Sequence, residues 1–439
     1  MPQESPAPLS KAALHNETTA ALQGLPEPIE LTRQLRHLPG FLFLDSVPQA
    51  LDGQGEDLGC ISLLAACPEK IIRGNLFRDE DFERLSAIYL ENLESEDTSL
   101  DLGFPLDGLY GTISYDGDFA LGLYPEVLAY HHASGQWMEK GSLSQRRVQS
   151  LESPANPATP EQVGEFSPGV SRSEFCRLVE TAQEYIAAGD IYQVNLSHQF
   201  VASMEPEADL FPLYERLRDR SPAPFSAFLR QGEKEILSSS PEEFLSISGR
   251  TIRTRPIKGT RPRFRDRELD EKSAYDLITS SKEVAELIMI TDLERNDLGQ
   301  ICEFGTVEAT ELLKLERFAQ VFHLVSTVEG TLRPEVTALD AIRACFPGGS
   351  ITGAPKKRAR EIIDELEPIP RGLYTGAIGG FGFNRESRFN IAIRTAIRED
   401  DTLHFHVGAG IVADSVPEME WEETLHKASG LLQAFGSPE

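Results

Sequence analysis

Basic residues are scarce in this chain: 42 lysines and arginines stand against 70 acidic residues, a formal net charge of -28 at pH 7. The field of so acidic a surface repels phosphate backbones and anionic lipid headgroups, which excludes nucleic acid and membrane surfaces as expected partners. Cysteine is scarce as well. The five, Cys60, Cys67, Cys176, Cys302 and Cys345, are odd in number and far apart, with no C-x-x-C pair and no histidine at zinc-finger distance. That pattern argues against a disulfide framework or a zinc site, and for free thiols in a reducing compartment. No apolar run approaches the ~18 residues that a membrane span requires. The opening MPQESPAPLSKAALHNETTA places polar and acidic residues where a secretory signal would have a basic start and an apolar stretch. A cytoplasmic location is therefore expected, with residues 1–22 as a disordered extension.

What is present is the composition of an ordinary globular protein, 40% hydrophobic and 26% charged. The segment 151–170, LESPANPATPEQVGEFSPGV, carries four prolines and little periodicity. It reads as a linker or surface crossing between a subdomain at 23–150 and a main part at 171–436. In the main part Ser171 and Glu174 form a capping-box pattern, and Phe175, Leu178, Val179, Ala182, Tyr185 and Ile186 recur at helical spacing up to Gly189. IYQVNLSHQFV follows. There Tyr192, Val194 and Leu196 alternate with Gln193, Asn195 and Ser197, a strand with one packed face and one face of amides and hydroxyl. Further strands are expected at 242–248, 251–257, 375–383, 389–399 and 402–412, and helices at 281–296, 354–367 and 417–435. Helices and strands do not alternate regularly enough for a doubly wound sheet. The expected fold class is α+β with large antiparallel sheets.

Five segments and one lone arginine carry residues suited to chemistry. On the last helix, about 100 degrees per residue puts Trp421, Leu425, Ala428, Leu432 and Phe435 on one stripe, while Glu420, Glu423 and Lys427 share another face. In the helix at 281–296, Glu283 and Glu286 repeat the i,i+3 spacing, and Asp292, Glu294 and Asp297 follow. Two helices each offering paired carboxylates suit a hard cation such as Mg2+, although solvated ion-paired faces would read the same way. TIRTRPIKGTRPR (251–263) concentrates Arg253, Arg255, Arg261 and Arg263 around Lys258. Neighbouring cations would favour the neutral amine, as a nucleophilic lysine needs, but a salt-bridged surface strand is the alternative. CFPGGSITGAPKK (345–357) and VGAGI (407–411) supply glycines whose backbone can approach an anionic ligand or simply turn the chain. Arg394, in the apolar IAIRT, needs an anionic partner.

These segments together resemble one family, the chorismate-utilising enzymes: anthranilate synthase component I, aminodeoxychorismate synthase component I, isochorismate synthase and salicylate synthase. The resemblance runs from about residue 170 to 432. It rests on SPEEFL, RPIKGTRPR, KEVAELIMITDLERNDLG, HLVSTVEG, FPGGSITGAPK, RGLYTGAIG, IAIRT, GAGIVADSVPEMEWEET and HKA. It implies two large antiparallel sheets packed as a sandwich with helices outside. Anthranilate synthases resemble P-I-A-G-T where this chain has P-I-K-G-T, so Lys258 points to the aminodeoxychorismate synthase branch, with anthranilate synthase as the alternative.

By the same resemblance, Lys258 attacks C2 of chorismate while Glu242 protonates the departing C4 hydroxyl, and ammonia then takes C4. Glu286 and Glu423 match the Mg2+ ligands, with Glu283 and Glu420 in the outer shell. Tyr374, Arg394, Gly408, Gly410 and Lys427 match positions that hold the substrate carboxylates, and Thr352 and His323 match pocket residues. Gln193 stands where water-adding relatives carry a basic lysine, which argues against isochorismate synthesis. No cysteine lies in a G-x-C-x-G elbow, so ammonia is expected from a separate glutamine amidotransferase subunit.

Overall fold

In a computed structural model of the chain, the described residues are 22, 24–46, 61–94, 103–147, 162–205, 208–318 and 320–436. Residues 1–21, which hold nearly all of the expected extension, lie outside them, as do Cys60 and positions 151–161 of the proline-rich segment. Among the described residues, short β-branched and aromatic segments pair into an eleven-stranded and a ten-stranded sheet. The neighbouring strands run antiparallel throughout, as in the long ladder of Gln193–Ser203 on Thr402–Ile411 and that of Thr251–Arg255 and Ile257–Pro262 on Val321–Thr331. The fold is the α+β sandwich expected from the sequence.

Residues 23–150 supply strands to both sheets. Leu42–Asp45 and Ile61–Ala65 enter the eleven-stranded sheet, while Gly108–Ile113 and Asp118–Tyr124 enter the other. Leu42 and Ala227 from one sheet meet Tyr110 and Ile378 from the other in a shared buried cluster, the filling of the sandwich. Helices cover the outer faces. Phe211–Arg220 and the C-terminal Pro417–Ala434 pack with Phe200, Phe228 and Phe405, and Arg172–Ala188 and Lys356–Leu366 with Val194 and Ala409. No helix among the described residues is long and apolar enough to cross a membrane.

Several local expectations hold to the residue. Ser171 caps Arg172–Ala188 with its reciprocal Glu174 bond, and Gly189 closes that helix at φ 83°. Others fail at places where the chain changes partner. The strand expected at 251–257 breaks at Pro256, which has no N–H to donate; the chain resumes as Ile257–Pro262. The strand expected at 389–399 is two strands in different sheets, Glu386–Ile391 and Thr395–Glu399. Arg394 therefore sits in a crossing between sheets, at φ 49°, and not inside a strand. Tyr192 precedes its strand and is exposed. On the C-terminal helix the buried residues are Glu420, Trp421, Thr424, Ala428, Leu431 and Ala434, with Leu425 and Leu432 only half-buried. The stripe is rotated because the helix also packs against Arg172–Ala188 and carries a buried carboxylate toward the site.

That helix is held by a histidine. His198 stacks on Trp421 with ring centroids 4.8 Å apart and shares a 2.9 Å hydrogen bond with Thr424 Oγ1. Burial lowers the pKa of His198 from 6.5 to about 4, and those of His323 and His406 to about 3. The unfolded chain takes up these protons at higher pH than the folded one, so stability is present above the unfolded value and falls as pH drops toward the folded one. For His198 alone the loss is roughly 3 kcal/mol. Thermal melts from pH 7 down to 4.5 should show a shallower decline for His198→Phe than for the parent chain; parallel declines would remove His198 from the account.

Candidate active site

Two neighbouring crossings between the sheets place an acid beside a guanidinium. The chain leaves Lys234–Ser240 of the first sheet, turns at Pro241 and Glu242, and enters Glu243–Ser248 of the second; it returns through Ala392–Arg394. The crossings are tied together by Ile391 N–H donating to Glu242 O (3.0 Å), Ser239 N–H to Arg394 O (3.0 Å) and Ser240 Oγ to Ile391 O (2.6 Å). Glu242 is 5% exposed, and its Oε1 has no hydrogen-bond partner. Burial raises its pKa, opposed by Ser350, Lys258, the Ile257 amide and Lys427. A carboxyl in this setting favours its proton, the state a general acid needs. Among the described residues no hydrogen bond or ion pair holds the Arg394 guanidinium, on which the charge of Glu242 acts. It is available to an anionic ligand.

Lys258, on the strand Ile257–Pro262, donates to Ser350 O at 3.1 Å. The expectation that arginines crowd it is not met. Arg253 pairs with Glu243, Arg255 with Glu316, Arg261 with Glu283 and Arg263 with Asp270. The groups on which the Lys258 charge acts are the carboxylates Glu242, Glu286 and Glu423. Each arginine meets an acid supplied from elsewhere in the chain, which a count of nearby cations in sequence does not register.

The opposite wall is the strand pair Gln193–Ser203 and Thr402–Ile411, where two glycines leave the space beside the wall open. A Cβ on Gly410 would lie 2.6 Å from Gln193 Nε2 and 3.9 Å from Lys258 Nζ; one on Gly408 would lie 2.9 Å from the Tyr374 hydroxyl and 3.1 Å from Asn195 Nδ2. Gln193 Oε1 is buried without a partner, and Asn195 Nδ2 and Ser350 Oγ, which face Tyr374 and Glu242, are buried without a hydrogen bond of good geometry. Unpaired groups of this kind are costly inside a protein unless a ligand or water completes them. Tyr374 stacks on His406 at 5.4 Å. His323 Nδ1 meets Thr260 Oγ1 at 2.9 Å, with its pKa lowered by burial and by Arg394, so it acts as a neutral group. Thr352 is fully buried and donates to Gly348 O at 3.0 Å. Lys427 donates to Gly408 O at 2.9 Å and pairs with Glu423 at 2.7 Å. Sequence reading placed Asn195 on the polar strand face and Ser350 in the glycine loop without assigning either to the site. It missed Arg371, whose only signal was a cation in RGLYTG.

The four metal-candidate carboxylates lie along the same opening, on Ser281–Gly299 and Pro417–Ala434. Among the described residues no group of three acidic, histidine or cysteine side chains already stands close enough to enclose a metal. Lys282 Nζ lies 3.6 Å from Glu420 and 4.0 Å from Glu286, and Glu283 is 3.4 Å from Arg261. Glu286 Oε1 and Glu420 Oε2 are buried without partners. Burial raises the pKa of Glu286; it acts the same way on Glu423, but Lys427, Lys282 and Lys258 together hold that carboxyl below its ordinary value. A separate pocket lined by Asp45, Phe225, Arg388 and others between the sheets contains none of these residues.

Buried side-chain amides, an unpaired guanidinium, a lysine and a buried carboxyl whose burial favours its proton suit a polar, anionic small molecule. A family model described as chorismate binding enzyme matches residues 102–433, and the chain belongs to that family. Over 276 residues it is 44% identical to aminodeoxychorismate synthase component 1 of Bacillus subtilis (strain 168), covering 63% of this chain and 58% of that one. Over 275 residues it is 44% identical to anthranilate synthase component 1 of Pseudomonas putida, covering 63% and 55%. Neither match reaches two thirds of the relative's length. Among solved structures, anthranilate synthase component I of Streptococcus pneumoniae TIGR4 is 30% identical with a TM-score of 0.73, covering 88% of this chain and 93% of that one. MenF, the menaquinone-specific isochorismate synthase of Escherichia coli, has a TM-score of 0.74 over 94% and 92% at 19% identity, a likeness of fold alone.

The glycine argument gives a direct test. Gly410→Ala meets the movable end of Gln193 and narrows the opening toward Lys258, so it should leave the melting temperature nearly unchanged. Calorimetry should show chorismate binding weakened by roughly tenfold or more, about 1.4 kcal/mol. Unaltered binding would move the ligand away from this wall.

Proposed function

We propose that this chain aminates chorismate at C4, giving 4-amino-4-deoxychorismate, with ammonia from a glutamine amidotransferase subunit. The observation that carries the reading is a lysine, Lys258, whose charge acts on Glu242, a buried acid with one unpartnered oxygen, at a position where anthranilate synthases resemble P-I-A-G-T. Lys258 attacks C2 as the neutral amine. The ring double bonds shift toward C4, and the C4 hydroxyl leaves as water with the proton of Glu242. Ammonia then attacks C4, the double bonds shift back, the C2–N bond breaks, and Lys258 leaves as the amine; one proton of the incoming ammonia returns to Glu242. Chorismate and ammonia become aminodeoxychorismate and water. Arg394, Tyr374, Lys427 and the amides at Gly408 and Gly410 orient the carboxylates, and a protonated Glu242 costs less in its buried setting than an ionised one.

The acidic face fits Mg2+. Its donors are carboxylate oxygens, two of them buried without a hydrogen bond, and the Lys282 ammonium lies 3.6 Å from Glu420 and 4.0 Å from Glu286. Glu286 and Glu423 would hold the ion, with Glu283 and Glu420 orienting them. When bound it neutralises a substrate carboxylate beside an acidic protein. Anthranilate synthase component I is the second reading, favoured by relatives of equal identity; it would form anthranilate and pyruvate.

Purified chain supplied with chorismate, Mg2+ and ammonium should accumulate a product that an added lyase converts to p-aminobenzoate, and Lys258→Ala should abolish or redirect it. Anthranilate with pyruvate from the parent chain would establish the second reading. Chelation of divalent ions should abolish turnover and Mg2+ should restore it; full activity in chelator would remove the metal from the proposal.

A further inference from the structure

The helix Ser281–Gly299 carries two buried acids that neither the chemistry nor the metal face uses. Glu294 and Asp297 lie past Glu286 and point into the protein, 3% and 4% exposed. Both grip the glycine loop between Cys345 and Lys356. Asp297 ion-pairs with Lys356, whose ammonium also donates to Cys345 O at 2.9 Å. Glu294 Oε1 accepts from Gly349 N–H at 3.0 Å, and its Oε2 is buried without a partner. The contact is close: a Cβ on Gly349 would lie 2.7 Å from Leu293 and 2.9 Å from Glu294 Oε1. The next residue, Ser350, presents the carbonyl that receives Lys258 Nζ at 3.1 Å, and Thr352 bonds back to Gly348 O and Gly349 O.

We infer that Glu294 is a positioning residue: by accepting the Gly349 N–H it fixes the loop whose Ser350 carbonyl aims the Lys258 amine at the ligand. The surroundings favour an acceptor over a charge. Burial and the neighbouring Asp297 push the Glu294 carboxyl up to about 7, against Lys356 and the Gly349 amide. Lys356 is already committed to Asp297, so Glu294 has no ion-pair partner of its own. What remains is the reach of one oxygen to one amide. Displacement of a reacting group by about 1 Å can lower turnover by about 10²-fold without loss of binding.

The inference rests on Lys258 as the acting amine, and the experiment separates the two. In the full-length chain with ammonium and Mg2+, Glu294→Gln keeps length and acceptor while removing the charge, and Glu294→Asp keeps the charge while withdrawing the oxygen by one methylene. Glu294→Gln should retain kcat within about threefold. Glu294→Asp should lose kcat by about 10²-fold with KM for chorismate nearly unchanged. Labelling of Lys258 by trinitrobenzenesulfonate, read by peptide mapping, should change for Asp and not for Gln. Melting curves of both should remain cooperative. Loss of kcat in Gln equal to that in Asp, or an Asp variant with parental kcat and labelling, overturns the positioning role. If Lys258→Ala itself keeps full turnover, the reading of Lys258 falls and the inference with it; if Lys258→Ala is inactive and Glu294→Asp is not, only the inference falls.

Discussion

A buried ion pair holds the site together. Arg371 is 3% exposed and bonds Glu367 through both Nε and a terminal nitrogen, Ile351 O at 3.0 Å, Asn195 O at 2.6 Å and Thr375 Oγ1 at 3.2 Å. Glu367 in turn accepts from Ser197 N–H at 2.7 Å. One guanidinium thus joins the strand that presents Gln193 and Asn195, the loop that presents Ser350 and Thr352, and the turn that presents Tyr374. A buried pair is weak evidence of net stability, but loss of one partner leaves an uncompensated charge and costs about 3–5 kcal/mol. Its use here is geometric, because three segments distant in sequence acquire one shared set of contacts.

Around that joint the sandwich does something a single sheet cannot. The chain crosses between the two sheets twice at adjoining places, and each crossing frees a polar side chain from the pairing pattern: Glu242 at one and Arg394 at the other. Thr375 and Arg394 adopt positive φ angles of 59° and 49°, conformations that non-glycine residues hold only where the surroundings enforce them. The surrounding strands are nearly all buried, so the backbone has little freedom to relax. The result is a rigid wall of unpaired donors and acceptors facing an acid, an amine and a carboxylate-bearing helix pair.

The sequence made the local parts of this visible. Ser171 and Gly189 mark a helix because a capping oxygen and a left-handed glycine answer local backbone needs, and the amide face at Gln193 and Asn195 shows in simple alternation. The glycines at 408 and 410 read equally as close approach to a ligand or as a turn of the chain, and only the family resemblance tied them to the substrate carboxylates. What stayed hidden depends on partners distant in the chain. The apolar alternation through Ile391 and Ala396 continues across a change of sheet, so Arg394 looked like a strand residue. The arginines near Lys258 looked like a cluster because Glu243, Glu283 and Glu316 come from elsewhere. The buried carboxylate Glu420 looked like surface because its helix face was judged by hydrophobicity alone. Arg371 stood among glycines with nothing local to show that it would be buried.

The account depends most on Lys258 forming a bond to its substrate. The parent chain, given chorismate and Mg2+ without ammonium, should be quenched and measured intact by mass spectrometry. The account predicts an adduct heavier by chorismate less one water, mapped to the peptide containing Lys258 and discharged on addition of ammonium. An unmodified chain that nevertheless turns chorismate over once ammonium is added would contradict it.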